Sequence, residues 1–142
     1  MNNIVIRKIK TIDELNSALD LCYRVLGKDN INSSIYGYDA WVERLKENRH
    51  PMVCAEDNGK IVSAVMGRAE NDDSLVVGLV ACDENYRNQG ITKAVLSEFE
   101  KEARKLNFKY ITLGSEADEF YEKCGYKCIN EIEGQKIYQK IV

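Results

Sequence analysis

The sequence contains one histidine (His50), one proline (Pro51), one tryptophan (Trp41) and no long apolar run. With a single histidine and no Cys-x-x-Cys pair, neither a structural zinc site nor any other metal is expected. No stretch approaches the ~20 apolar residues that cross a bilayer, so no membrane partner is expected. Met1-Asn2-Asn3 leads into a strand-like run without the apolar core of a signal peptide. The cysteines (Cys22, Cys54, Cys82, Cys124, Cys128) are odd in number and scattered, without a disulfide pattern. They read as reduced thiols in a cytoplasmic protein. A net charge of −3 carries no basic stripe, which argues against nucleic acid and mildly favours a cationic partner such as an amine. Repeats, linkers and low-complexity tracts are missing as well. The 142 residues read as a single domain over 1–142, long enough to bury about two thirds of the unfolded surface.

A further absence is local. From Arg87 to Ser97 there is no acidic residue, although Ile91, Val95, Phe99 and Ala103 mark the apolar stripe of a helix starting there. A helix N-terminus carries about half a positive charge and normally attracts Asp or Glu. Here it has Arg87 and Lys93 instead, with Gly90 at the bend and Asp83 and Glu84 upstream of the turn. Free backbone N–H groups, a glycine and two cations favour an anion such as a phosphate. The turn is not a P-loop, and Gly90 stands without the Gly-x-Gly-x-x-Gly spacing of dinucleotide sites.

Along the chain, Ile4–Ile9 reads as a strand, and Thr11-Ile12-Asp13-Glu14 as a capping box opening a helix that ends at Gly27. Residues 28–38 read as a loop; Asp39 is the expected cap of a second helix ending before Pro51. Two apolar runs flank Asn58-Gly59, the signature of a hairpin. Leu75–Val80 is a third strand of this group, and Gly78 inside it marks a bulge or a close approach. After the Ile91 helix come a strand at Tyr110–Leu113, a short helix at Ala117–Lys123 and a closing hairpin around Glu133-Gly134. The order is β-α-α-β-β-β-α-β-α-β-β. It implies an α+β fold with about seven strands in one mixed, mostly antiparallel sheet and about four flanking helices.

Two segments carry a family resemblance. Arg87-Asn88-Gln89-Gly90-Ile91-Thr92 resembles the coenzyme A turn of the GNAT acetyltransferase superfamily, Arg/Gln-x-x-Gly-x-Gly/Ala; it matches at Arg87 and Gly90 and departs at Thr92. Phe120-Tyr121-Glu122-Lys123-Cys124-Gly125-Tyr126 resembles that family's Phe-Tyr-Glu-Lys-x-Gly-Phe segment. The element order is also that of the family.

The resemblance implies acetyl-CoA as co-substrate and acyl transfer from its thioester to a primary amine, of a small molecule or a peptide. Arg87, Asn88, Gln89, Gly90, Ile91 and Thr92 would then hold the pyrophosphate. The backbone of Val80, Ala81 and Cys82 would take the pantetheine arm and the acyl carbonyl, and Tyr121 would act as general acid. Tyr36, Tyr38 and Trp41 would line the acceptor side, and Phe120 would belong to the core. No carboxylate lies between Leu75 and Cys82 to serve as base, which leaves Glu70, Asp72, Asp73 and Glu116 as candidates at strand ends. Cys82 as a nucleophile is disfavoured, with no histidine near it in sequence. The alternative is a non-catalytic acyl-CoA-binding or regulatory module of the same fold, monomeric or a homodimer like the enzyme.

Overall fold

Thr11 and Glu14 satisfy each other's backbone where the first helix starts. Thr11 Oγ1 accepts from the Glu14 amide at 3.2 Å and Glu14 Oε1 from the Thr11 amide at 3.0 Å. The computed structural model describes residues 3–142. Its elements are β1 (Ile4–Lys8), α1 (Ile12–Leu26), α2 (Ser33–Tyr36), α3 (Tyr38–Lys46), β2 (Met52–Asp57), β3 (Lys60–Ala69) and β4 (Ser74–Cys82). They continue with α4 (Ile91–Lys105), β5 (Tyr110–Ser115), α5 (Asp118–Lys123), β6 (Lys127–Ile132) and β7 (Gln135–Ile141).

The expected order holds, with one addition and one correction. The stretch read as a loop contains a 3₁₀ turn at Lys28–Asn30 and the short helix α2, started by the Asn32 side chain accepting from the Ser34 amide. Asp39 does not cap α3. That helix begins two residues earlier than a cap at Asp39 implies, with Gly37 at the cap, and Asp39 sits within the first turn. There its charge still complements the helix dipole.

The seven strands form one sheet in the order β1-β2-β3-β4-β5-β7-β6, antiparallel throughout except for β4 beside β5. Alternation sends Val53, Ala55 and Val65 to the face covered by α4, and Cys54, Ala64 and Met66 to the face covered by α1 and α3; Val62 joins the α4 side as the extra residue of a β-bulge opposite Ala55 and Glu56. At β2 and β3 both faces are therefore buried under helices, whereas β6 is exposed along its length. Among the described residues no helix is long and apolar enough to cross a membrane.

Gly78 changes this pattern. Met66 pairs with Leu79 and Gly67 with Val77, so Gly78 is the extra residue of a β-bulge. A one-residue slip reverses which face a strand presents. Accordingly Leu75 and Val77 join the α4 side of the core, whereas Leu79 and Ala81 join the α1 side. The bulge also marks a parting of strands. β4 pairs with β5 only from Ser74↔Tyr110 to Val76↔Thr112, although β4 runs on to Cys82 and β5 to Ser115.

Candidate active site

The turn after β4 is held from below. Asp83 is buried at 2% exposure and caps the 3₁₀ turn Glu84–Tyr86, with Oδ1 accepting from the Asn85 amide at 2.9 Å. Its Oδ2 meets Arg24 Nη2 at 3.3 Å and Lys60 Nζ at 3.6 Å. The Asn85 amide first, then the two cations, hold the Asp83 carboxyl below its ordinary pKa against the effect of burial. Tyr86 adds a second brace by donating its hydroxyl to Asp57 Oδ2 at 2.8 Å, which ties the turn to the β2–β3 hairpin.

Above this brace the chain exposes an unfinished helix end. Asn88 and Gly90 both take left-handed backbone, at φ 62° and 77°. Gly90 occupies the N-cap of α4, so no side chain caps the helix, and its first turn has no acid. The first amide to find a helical acceptor is that of Ala94, bonded to Gly90 O at 3.1 Å. The amides of Ile91, Thr92 and Lys93 find none among the described residues. Arg87 and Lys93 are exposed and lack an ion-pair partner among the described residues. A Cβ at Gly90 would meet nothing within 4 Å, so the approach to these amides is open. Such a turn fits a pyrophosphate.

These groups face a cleft of about 700 Å³ that also takes in Cys82, Tyr86, Phe120 and Tyr121. Strand backbone contributes the wall between them. Ala81 O accepts from Ser63 Oγ at 3.0 Å and the Asp83 amide donates to Val62 O at 2.8 Å, so both residues turn their backbone toward β3. By strand alternation the amides and carbonyls of Val80 and Cys82 turn toward the edge that β5 has left. Ala81 therefore offers this edge no backbone group.

Tyr121 is 7% exposed and lies edge-on to Phe120 and Tyr126, at centroid distances of 5.0 and 5.9 Å. Its hydroxyl has no hydrogen-bond partner among the described residues, and burial pushes its pKa up to about 12. Phe120, expected in the core, is only partly buried and lines the cleft while packing against the core edge. Behind them Tyr126 donates to Glu100 Oε2 at 2.9 Å, and Lys140 Nζ reaches both Glu100 Oε1 at 2.9 Å and Cys124 O at 2.8 Å. This buried network pins the Tyr121 segment to α4 and β7. Its one trace in the sequence is a charged residue, Glu100, within an apolar helix face.

The aromatic trio separates. Trp41 is fully buried and donates Nε1 to Tyr36 O at 3.1 Å, so it is a core anchor rather than a wall. Tyr36 stacks on it at 5.7 Å, accepts from Arg68 Nε at 3.0 Å, and covers Gly78 where β4 begins to leave β5. Tyr38 is 45% exposed.

The base candidates scatter. Asp72 and Asp73 sit in the turn before β4, at the end where β4 and β5 still pair, and Glu70 is paired with Arg68. Glu116 is exposed. No carboxylate lines the cleft among the described residues. Nor do three or more His, Cys, Asp or Glu gather there in a way that would hold a metal ion.

Fold and cleft together define a class: an α+β domain whose one parallel strand pair opens onto an uncapped, acid-free helix start. A family model described as Acetyltransferase (GNAT) family matches residues 12–126. The chain belongs to that family. No curated protein sequence matches it significantly. Among solved structures it is similar to an acetyltransferase from Streptococcus agalactiae, with 20% identity, a TM-score of 0.78 and full coverage of both chains. It is also similar to the PaiA N-acetyltransferase of Thermoplasma acidophilum in complex with coenzyme A, at 16% identity, 99% coverage of each chain and a TM-score of 0.80. A GNAT acetyltransferase from Elizabethkingia anophelis with acetyl-CoA bound aligns over all of both chains at 15% identity and a TM-score of 0.72. At these identities the likeness is one of fold.

Proposed function

We propose that this chain transfers an acetyl group from coenzyme A to a primary amine, of a small molecule or a peptide, by direct attack. The observation that carries the reading is a convergence. The uncapped, cationic start of α4, the end of the open β4 edge at Cys82, and the unpartnered hydroxyl of Tyr121 all meet one cleft.

Coenzyme A supplies the acetyl group as a thioester. Arg87 and the amides of Ile91, Thr92 and Lys93 would hold its pyrophosphate, with charge-assisted hydrogen bonds and the helix dipole acting together. Backbone donors at the open β4 edge would polarise the acyl carbonyl. Tyr36 would wall the acceptor side, across the bulge from the cleft.

Tyr121 keeps its proton at neutral pH, because burial raises its pKa to about 12. An ordinary thiol lies near 8.5, so full transfer of that proton to a thiolate would cost about 5 kcal/mol. Tyr121 therefore serves best by donating a hydrogen bond to the developing sulfur anion, with the acceptor's ammonium as the final proton source. With no carboxylate among the residues lining the cleft, the amine is delivered neutral by solvent or by its own lowered pKa.

The test has two parts, both run at low salt. Millimolar CoA should raise the melting temperature, since a ligand binding only the folded state stabilises by about 2.7 kcal/mol at a hundredfold excess over Kd. Thioester consumption from acetyl-CoA should then rise with at least one member of a primary-amine panel. An unchanged melt would sink the assignment; a raised melt with no turnover on any amine would leave a binding module.

A further inference from the structure

Among the described residues, Arg44 Nη1 is the one side-chain nitrogen or oxygen both shut off from solvent and without a hydrogen-bond partner. The Arg44 guanidinium carbon lies 4.4 Å from the ring centre of buried Trp41 and 5.7 Å from that of Tyr36. Arg68 approaches the same Tyr36 ring, also at 5.7 Å, and donates Nε to its hydroxyl. Two guanidinium groups thus share one ring, and that ring covers Gly78 where β4 parts from β5. The acids nearby leave Arg44 unmatched: Glu70 pairs with Arg68, and Glu47, just past α3, is bonded to His50. Burial first, then the Arg68 charge, push the Arg44 pKa down, with Tyr36 and Glu47 opposing. The aromatic rings meet only the face of the guanidinium. Its N–H groups, at the edge, still want an acceptor, and leaving them without one is costly for a cation drawn partly out of water.

Resting on the acetyltransferase reading, we propose that the acceptor is an amine that also carries a carboxylate, and that Arg44 selects it by pairing with that carboxylate. The chain as a whole is mildly acidic, at −3, but the charge beside Tyr36 is local and positive. Arg44 as a residue is only half-buried, so a ligand can reach it. Arg68 adds to the local field while it holds the Tyr36 hydroxyl in place. Each guanidinium carbon stands 5.7 Å from the centre of the ring on Gly78, so the amine and the carboxylate lie several bonds apart. An ω-amino acid and an acidic peptide both have that form; an amine and a carboxylate on one carbon do not.

The experiment compares matched acceptors in steady-state kinetics with acetyl-CoA, rates being referred to the neutral amine. One arm sets 4-aminobutyrate, 5-aminopentanoate and 6-aminohexanoate beside their carboxamides. The other sets a short amidated peptide with aspartate at its second position beside the same peptide with asparagine. In one arm wild type should favour the carboxylate roughly tenfold or more in kcat/KM, through KM, the scale of one charge-assisted contact. The arm that shows it tells a small-molecule acceptor from a peptide. Arg44→Gln should abolish most of the preference by raising KM for the carboxylate alone, while unchanged turnover of the uncharged partner and unchanged CoA affinity certify the fold. Arg44→Lys should restore part of it. Equal wild-type kcat/KM within every pair, turnover of other amines but of no carboxylate, or an Arg44→Gln chain that keeps the full preference would each overturn the assignment and leave the acetyltransferase reading standing. If no amine of any kind is acetylated, the acetyltransferase reading fails and the acceptor class with it.

Discussion

The ring of Tyr36 lies where a side chain at Gly78 would have to go: a Cβ there would be 2.5 Å from its Cε1 and 2.9 Å from its Cζ. The ring is poorly placed to yield, being stacked on buried Trp41 and bonded through its hydroxyl to Arg68. Gly78→Ala should therefore overpack this contact and lower stability by about 1–3 kcal/mol, read as a lower urea midpoint. In the Tyr36→Ala background the same change should cost much less, because the two residues are coupled. Additive effects in the double variant would show that the contact carries no energy.

At Gly90 the constraint is backbone conformation, since φ is 77° and the space above it is open. Gly90→Val should cost about 1–2 kcal/mol for the left-handed backbone, keep the fold, and lose CoA binding. Gly90→Asn tolerates that backbone but raises a side chain over the free amides, so it too should lose the thermal shift with CoA. If Gly90→Asn binds CoA as wild type does, the ligand does not approach the backbone here and only the bend matters.

Legibility followed the range of the interactions. The strands, α1, α4 and the Asn58-Gly59 hairpin were readable because their periodicity and caps lie within a few residues. The short helix α2 was not, since it depends on Tyr23 and Trp41 both donating to the carbonyl of Tyr36. Whether Trp41 was a wall or an anchor depended on its joining the buried cluster of α1, β3 and β4 residues, which no local pattern states. The Tyr86–Asp57 and Tyr126–Glu100 bonds join residues 29 and 26 positions apart, beyond any motif. Gly78 was readable as a bulge or a close approach, and it is both, because a glycine inside an apolar strand has few other uses. The candidate base was not readable for a different reason: none of the proposed carboxylates reaches the cleft.

His50 makes stability depend on pH. Its Nδ1 accepts from the Ala69 amide at 2.9 Å and its Nε2 faces Glu47 Oε2 at 2.9 Å, so the bonded form is neutral with the proton on Nε2. Burial holds its pKa below the ordinary 6.5, with Glu47 opposing. Above 6.5 neither folded nor unfolded chain protonates it, and the contribution is full. Below 6.5 the unfolded chain takes up a proton that the folded chain refuses, so stability falls as pH drops toward the folded pKa. Melting temperatures between about pH 7 and pH 5 should decline more steeply for wild type than for His50→Gln, whose midpoint is lower throughout. Parallel profiles would assign the slope to carboxylates.

Tyr121→Phe separates an enzyme from a binding module. The hydroxyl has no partner among the described residues, so its removal should leave stability within about 1 kcal/mol of wild type. General acid help is typically worth 10²–10⁴-fold, but a thiolate leaves readily and a phenol near 12 is a weak donor to it. The expected loss in kcat is accordingly about tenfold to a hundredfold, at the low end of that range or below it. Affinity for CoA should barely move, because the phosphate contacts lie at the start of α4. Since Tyr121 stays protonated up to about pH 11, wild type and Tyr121→Phe should show the same rise in rate with pH, set by the amine losing its proton. Steady-state kinetics across pH on the best acceptor, with CoA affinity measured in parallel, decides the matter. Unaltered turnover with weakened CoA binding would make Tyr121 a wall of the cleft, and the proton that leaves with the thiol would then come from the amine or from water.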